Sequence, residues 1–265
     1  MGIVSGLESA TFLYAFSGFC IGALVGMTGV GGGSLMTPLL ILLFGVHPTT
    51  AVGTDLLYAA VTKTAGSLMH GASGTIRWKI VARLAMGSVP MTFVTLLALS
   101  RFDLAGGGVQ EAITFVLGLA LLATAAVLVL RNQVARWYAA RIGELNERRT
   151  AQLTVLTGAL LGVLVSLTSV GAGALGATIL VLLYPRLPVA QIVGSDIVHA
   201  VPLTLIAGLG HWMIGSIDTG ILGALLVGSV PGIVIGSTLA VRTSERVVRL
   251  ALAAVLAVGG GRLVF

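Results

Sequence analysis

Long apolar stretches with almost no charge follow one another along the whole chain. Ten of them are bounded by charged residues, Gly/Pro clusters or Trp, over residues 11–28, 34–45, 50–68, 80–99, 111–131, 151–170, 174–184, 191–211, 219–241 and 246–264. Only 9% of the 265 residues are charged, whereas a soluble domain carries roughly a quarter. The pattern excludes a water-soluble enzyme and predicts an all-α polytopic membrane protein.

Eight of the stretches are long enough to cross a bilayer as helices, which takes roughly 20 residues. The other two, SLMTPLLILLFG at 34–45 and ALGATILVLLY at 174–184, would reach only about 18 Å at 1.5 Å per residue. Three structures remain open for them: half-helices, short steep spans or re-entrant segments. Each follows a glycine-rich stretch that separates it from a long helix.

The distribution of Lys and Arg predicts the orientation, because basic residues stay on the cytoplasmic side. If all ten segments change sides and the N-terminus lies outside, twelve basic residues lie in inner loops and only Arg101 and Arg262 face out. If the short segments return to the side they came from, the division is nine to five. We therefore prefer ten membrane segments, both termini outside, and residues 131–150 as a basic cytoplasmic linker.

The chain contains an internal repeat. GFCIGALVGMTGVGGGSL from residue 18 aligns with GALLGVLVSLTSVGAGAL from residue 158, VGTD at 52–55 with VGSD at 193–196, and GSVP at 87–90 with GSVP at 228–231. Five segments per copy is an odd number, so the second copy, 151–265, is predicted to be inverted relative to the first, 1–130. Two five-segment inverted repeats are typical of secondary transporters, whose substrate site lies near the midplane between the repeats.

The paired motifs GMTGVGGGSLMTPLL with AVGTD and SLTSVGAGALGATIL with IVGSD resemble those of the TauE/SafE family, the sulfite exporters. The resemblance covers roughly residues 10–264. It implies a bacterial or archaeal inner-membrane transporter that moves small sulfur-containing or organic anions, such as sulfite or sulfoacetate, outward. The family name comes from a few members, so the resemblance leaves the substrate open.

The glycine stretches are the strongest candidate substrate site. A helix that begins just after them points free N–H groups and the positive end of its dipole toward the break, which favours an anion. The predicted binding residues are Thr28, Gly29, Gly31, Gly32, Gly33 and Ser34 in the first copy and Thr168, Gly171 and Gly173 in the second. Close helix packing is the alternative role for such glycines. For the threonines, the alternative is a hydrogen bond to their own helix.

Two aspartates, one lysine and one histidine of the predicted spans are further candidate functional residues. Asp55 and Asp196 are either proton carriers at membrane depth or acids favoured by the helix dipole at the headgroup level. Lys63 lies on nearly the same helical face as Asp55, and a role in substrate binding or gating, a structural ion pair and snorkelling all remain open. His199, three residues after Asp196, is a candidate proton relay or a hydrogen-bonded structural residue.

Together these features predict a proton-coupled or facilitated transporter of a small anionic substrate that works in the lipid bilayer by alternating access. Another small anion or metabolite is the alternative substrate, and a homo-oligomer is compatible with the sequence. No cofactor, metal or nucleic-acid partner is expected, because one Cys and four scattered His form no metal motif. The rival from another class is an intramembrane hydrolase with Ser73 of GASG as nucleophile, a weak pattern in a chain with 37 Gly.

Overall fold

The computed structural model describes residues 2–28, 33–72, 76–102, 107–141, 146–240 and 245–265. These residues form ten α-helices and no strand, which confirms the all-helical prediction. The helices are α1 (Gly2–Thr28), α2 (Gly33–Phe44), α3 (Pro48–Ala72), α4 (Trp78–Leu99), α5 (Gly107–Arg141), α6 (Glu147–Thr168), α7 (Ala174–Leu183), α8 (Val189–Met213), α9 (Thr219–Ala240) and α10 (Glu245–Val264).

The helices differ in their capacity to cross a membrane. Within the described residues, five stretches are long and apolar enough: Trp78–Leu99, Gly107–Leu130, Glu147–Thr168, Val189–Met213 and Thr219–Gly236. Helices α2 and α7 have only 12 and 10 residues and lie where the sequence predicts the short segments. The count of ten membrane segments stays a prediction. Helix α5 runs on to Arg141, so residues 131–141 of the predicted linker belong to a helix.

The bundle has an apolar surface and polar groups in its interior. Phe16, Phe93 and Leu160 are 56%, 58% and 56% exposed, whereas Asp55 and Asp196 are 0% and 1% exposed. A soluble domain shows the reverse distribution for charged residues. In lipid, exposed apolar side chains are favourable and polar groups need partners inside the protein. The structure thus has the surface of a multi-pass membrane protein.

Each of the main helix pairs joins the two halves of the chain. α1 packs against α9, α4 against α6, α3 against α8 and α5 against α10. A Cβ at Gly18 would overlap the backbone of Leu225, and one at Gly158 would overlap that of Leu84. Small residues allow helices to approach this closely in membranes. The α1–α9 and α4–α6 contacts therefore depend on glycine in both halves.

The two short helices lie against the central pair of long ones. α2 packs on α3, and α7 packs on α8, α6 and α5. Since α3 and α8 also contact each other, both short helices pack beside this pair. This arrangement places the second glycine stretch next to charged side chains of α3 and α8.

Candidate functional site

The second glycine stretch forms a break between α6 and α7. α6 ends at Thr168 and α7 begins at Ala174. Between them, Gly171 and Gly173 have φ angles of 119° and 127°, a region that residues with a Cβ rarely adopt. Residues 168–173 are all buried. The open backbone is thus enclosed by protein, as a break at membrane depth requires.

The first glycine stretch falls at the edge of the described residues. Three of its predicted binding residues lie outside them: Gly29, Gly31 and Gly32. Thr28 is the last residue of α1, and Gly33 and Ser34 are the first two of α2. The role of this stretch therefore stays a prediction. Ser73, the nucleophile of the hydrolase hypothesis, also lies outside the described residues.

The hydroxyl group of Thr168 is used within the break itself. Its Oγ1 donates a hydrogen bond to the Leu164 carbonyl oxygen at 2.6 Å, one turn back in α6. It also accepts one from the Val170 N–H at 3.1 Å. In this structure Thr168 therefore stabilises the end of α6 with both its donor and its acceptor.

Lys63 reaches from α3 into the second break. Its Nζ donates a hydrogen bond to the carbonyl oxygen of Ala172 at 3.1 Å, and the residue is only 3% exposed. The ammonium group is attracted by the carboxylates of Asp55 and Asp196. Among the described residues, no carboxylate oxygen lies within 4 Å of Nζ. One buried cation is thus shared by two buried carboxylates without a direct ion pair.

Asp196 in α8 faces the start of α7. The backbone N–H of Gly173 points toward its carboxylate, and a Cβ at Gly176 would overlap its Oδ1 atom. This Oδ1 has no hydrogen-bond partner in the part of the chain that the structure describes. A carboxylate therefore lies where the free N–H groups and the positive dipole end of α7 favour a negative charge.

Asp55 in α3 is held by the short helix of the first half. Its Oδ2 accepts hydrogen bonds from the backbone N–H of Thr37 at 3.2 Å and from Thr37 Oγ1 at 2.5 Å. The hydroxyl of Ser169 faces the same carboxylate, but Oδ1 has no partner within hydrogen-bond geometry among the described residues. Asp55 is thus fixed by two donors and, through Ser169, also lies beside the second break.

All three charged side chains therefore meet at one place. Residues 169–173 of the second break face Asp55, Lys63 and Asp196 in turn. With both carboxylates ionised, the group carries a net charge of −1. An unbalanced buried charge is costly. The stability of this group should therefore change strongly when it takes up one proton or when one carboxylate loses a contact. Chemically, the cluster can bind an ion or exchange a proton.

His199 lies in the same helix as Asp196 but pairs with α4. Its Nε2 is 2.8 Å from Ser88 Oγ, and its Nδ1 has no partner among the described residues. The repeat aligns His199 with Tyr58 and Ser88 with Ser229, and the Tyr58 hydroxyl faces Ser229. Both halves thus place a ring side chain near a serine of the GSVP motif, but only His199 makes a hydrogen bond to that serine among the described residues. Proton relay by His199 stays a hypothesis.

The hydroxyl residues that precede the two aspartates make matching contacts. Thr54 Oγ1 accepts a hydrogen bond from the backbone N–H of Asp218 at 3.2 Å. Ser195 Oγ accepts one from the backbone N–H of Arg77 at 2.9 Å. Asp218 and Arg77 directly precede α9 and α4. Each aspartate motif is thus tied to the start of a long helix from the other half.

Three neighbours of Asp55 and His199 are missing from the sequence prediction: Thr37, Ser88 and Ser169. Thr37 interrupts the apolar run of the short helix, and Ser88 belongs to the repeated GSVP motif, so each carries a signal that could have marked it. Their partners are 18 and 111 residues away in the chain. Contacts over such separations depend on helix packing, which a single sequence does not state.

Comparisons with known proteins identify the family of this chain. The family model for the sulfite exporter TauE/SafE matches residues 14–263. The chain belongs to the sulfite exporter TauE/SafE family. The resemblance seen in the glycine and aspartate motifs is thereby confirmed.

Three relatives match most of the length of this chain. The probable membrane transporter protein YjnA of Bacillus subtilis (strain 168) is 39% identical over 253 residues, which is 93% of this chain and 97% of the relative. The probable membrane transporter protein YdhB of the same organism is 24% identical over 249 residues, with the same coverage of 93% and 97%. A probable membrane transporter protein of Xylella fastidiosa (strain 9a5c) is 27% identical over 231 residues, which is 86% of this chain and 84% of the relative. No solved structure matches the chain.

This TauE/SafE protein is a transmembrane transporter. Within the described residues it has no group of three His, Cys, Asp or Glu side chains that could hold a metal ion. At the second break, one lysine, two aspartates and a helix start are buried together.

Proposed function

We propose that this TauE/SafE protein is a secondary transporter of small oxyanions such as sulfite or sulfoacetate, and that the second glycine break is its substrate site. The observation that carries the proposal is the convergence of Asp55, Lys63 and Asp196 on residues 169–173. A buried cation beside the free N–H groups of a helix start is an environment that suits an oxyanion. The description of the family as sulfite exporters supports a sulfur oxyanion as substrate.

Anion binding should be coupled to proton uptake. Lys63 and two ionised carboxylates sum to −1, so a monovalent anion would raise the imbalance to −2 inside the bundle. Such an imbalance is strongly unfavourable in an interior of low dielectric constant. Protonation of Asp196 would remove one negative charge and weaken its hold on the start of α7, where the substrate would then bind. The anion and the proton are expected to bind together.

Two inverted repeats support alternating access around this site. Exchange of the two halves converts the α1–α9 pair into α6–α4, and it leaves the α3–α8 and α5–α10 pairs unchanged. The hydrogen bonds of Thr54 with Asp218 and of Ser195 with Arg77 exchange in the same way. This correspondence supports a two-fold relation between the halves, in which one repeat rocks against the other. The first glycine stretch would then be the second wall of the site.

Transport by the purified protein in proteoliposomes tests the proposal. Uptake of sulfite, sulfoacetate, thiosulfate and small carboxylates is measured with and without a pH gradient. At least one sulfur oxyanion should be transported, and faster when the proton and anion gradients point the same way. The Lys63→Gln variant should lose this transport. Arg101→Gln, which removes an exposed cation at the far end of α4, should keep it.

Two results would overturn the proposal. Indifference of the wild-type protein to every anion of the panel would remove the substrate class. Transport that is equal in Lys63→Gln and the wild type would remove the buried cluster from the mechanism. A rate that does not depend on the pH gradient would leave anion transport standing but eliminate its coupling to protons.

Export across the inner membrane, with both termini outside, completes the proposal and has its own test. In a Cys20→Ser background, Arg101→Cys and Arg148→Cys are labelled in intact cells with a membrane-impermeant maleimide. Arg101→Cys should react directly, and Arg148→Cys only after the membrane is permeabilised, because basic loops stay in the cytoplasm. The opposite result would invert the proposed topology.

A further inference from the structure

A second candidate site lies at one end of the bundle, away from the buried charges. A cavity of about 430 Å³ opens where α4, α6 and α8 begin and α7 ends. Charged side chains line it: Arg77, Lys79, Arg83, Arg186 and Glu147. The described lining residues, four cations and one carboxylate, sum to +3, which favours the binding of an anion.

Part of this charge is already engaged inside the protein. The Arg83 guanidinium pairs with Glu147 Oε1 at 3.2 Å and donates to the Tyr184 hydroxyl at 3.3 Å. Arg77 Nε donates to the neutral Gln191 Oε1 at 2.8 Å. Of the lining residues that the structure describes, Glu147 alone carries a negative charge, so these contacts orient the guanidinium groups and leave the sum of the described charges positive.

The helix starts add to the positive potential. Arg77 precedes α4 and Pro188 precedes α8, and neither helix has a side-chain hydrogen bond that caps its first turn. The free N–H groups of such a turn carry partial positive charge. Two uncapped helix starts therefore reinforce the cations that surround the cavity.

The equivalent end of the other repeat is not basic. The alignment pairs Arg77 with Asp218, Lys79 with Gly220, Arg83 with Ala224 and Arg186 with Val46. An internal two-fold relation by itself would produce the same surface at both ends. The two-fold relation therefore does not explain why the cations are concentrated at one end of the bundle, on one side of the membrane.

Apolar side chains form much of the remaining lining, and the cavity lies at the ends of spans. Ile80 and Leu183 are buried beside the cations, and Leu187 is half-buried. Candidate spans begin at Trp78, Glu147 and Val189, so the cavity lies at the level where the bilayer meets water. A ligand with a negative head and apolar chains matches both parts of this lining, as in basic pockets that bind lipid headgroups.

We propose that this cavity binds the phosphate headgroup of an anionic phospholipid. The Arg77 N–H also binds Ser195 Oγ, and Ser195 directly precedes Asp196. A headgroup on Arg77 and Lys79 therefore fixes the start of α4 against the helix that carries Asp196. This site is separate from the buried charges and goes beyond the proposed transport function.

Lipid retention measured by native mass spectrometry tests the site. The full chain, purified in detergent, is titrated with phosphatidylglycerol or with phosphatidylcholine of the same acyl chains. The wild type should retain more phosphatidylglycerol. The Lys79→Gln/Arg186→Gln variant should bind it roughly 25-fold more weakly, at about fivefold per cation removed. Arg101→Gln, at the other end of α4, should bind like the wild type.

The alternative outcomes each overturn the proposal. Equal retention of the two lipids would show that the headgroup charge is not recognised. Unchanged preference in the double variant would place the lipid elsewhere. A thermal stabilisation by inorganic phosphate that matches that by phosphatidylglycerol, and that the double variant loses, would assign the cavity to a free oxyanion. Because the readout is binding in detergent, failure here leaves the transport proposal intact.

Discussion

The two halves of the molecule each bury one aspartate, but they hold it differently. In the first half, Asp55 accepts two hydrogen bonds from Thr37 of α2. In the second half, Asp196 faces the bare backbone of α7 at Gly173, and the residue aligned with Thr37 is Ala177. Duplication thus supplied the same carboxylate twice. The first carboxylate is fixed by two hydrogen bonds from one residue, and under the proposed mechanism the second exchanges its partner.

The buried lysine also has no counterpart in the second half. Lys63 of α3 binds the Ala172 carbonyl oxygen in the second break. The aligned residue of α8 is Thr204, whose hydroxyl donates to Ala200 of its own helix at 2.8 Å. A single ammonium therefore serves two carboxylates. The two copies thus supply similar carboxylates to the site, but only the first copy supplies its lysine.

Removal of this cation should have the largest effect. Lys63→Gln leaves two buried carboxylates without compensation, which should cost about 3–5 kcal/mol of unfolding free energy and lower transport roughly 100-fold, about 2.7 kcal/mol. Addition of Asp196→Asn should restore more stability than addition of Asp55→Asn, since Asp55 keeps its Thr37 donors. Thermal unfolding of the two double variants measures how much stability each addition restores. The reverse order would contradict the view that Asp196 depends more on Lys63.

Replacement of the two aspartates separately should split transport from stability. Asp196→Asn should lower transport about tenfold or more and remove its dependence on the pH gradient, with an unfolding temperature close to that of the wild type. Asp55→Asn should lower the unfolding free energy by about 1–3 kcal/mol and keep the pH dependence of the remaining transport. Equal effects of the two changes on both measurements would show that the carboxylates are functionally alike.

The approach of Asp196 to α7 gives a smaller and more local prediction. Gly176→Ala adds a Cβ that would overlap Asp196 Oδ1, so the carboxylate should shift and transport should fall about three- to tenfold, up to about 1.4 kcal/mol. The matched control is Gly223→Ala in α9, whose Cβ would meet no atom within 4 Å. If both variants transport like the wild type, the contact between α7 and Asp196 does not control the site.

The smallest effects are expected where the halves agree. Thr54→Ala and Ser195→Ala each remove one acceptor for a backbone N–H, so each should cost about 0.5–1.5 kcal/mol of unfolding free energy. Chemical denaturation should give similar values for the two. Ser100→Ala, an exposed position, serves as the control. A loss confined to one of the two variants would argue against a two-fold relation between the contacts.

Much of the site was accessible from sequence because the repeat marks it. The alignment pairs Asp55 with Asp196 and the two glycine stretches with each other, and membrane composition alone singles out Lys63 as an intramembrane cation. The alignment does not say that Lys63 of the first half reaches the break of the second. It also gives no reason to expect Thr37 or Ser169 beside Asp55, because neither residue is aligned with a polar residue of the other copy.

The class of this protein, its helices and the chemical groups of its buried cluster follow from local sequence patterns. Hydropathy and charge act locally, so they fix which residues form apolar helices and where glycine interrupts them. Which of those groups come together depends on how the helices pack. The helices of one half pack on those of the other, and only this interleaving gathers two aspartates and one lysine at a single break while it leaves the basic cavity at one end of the bundle.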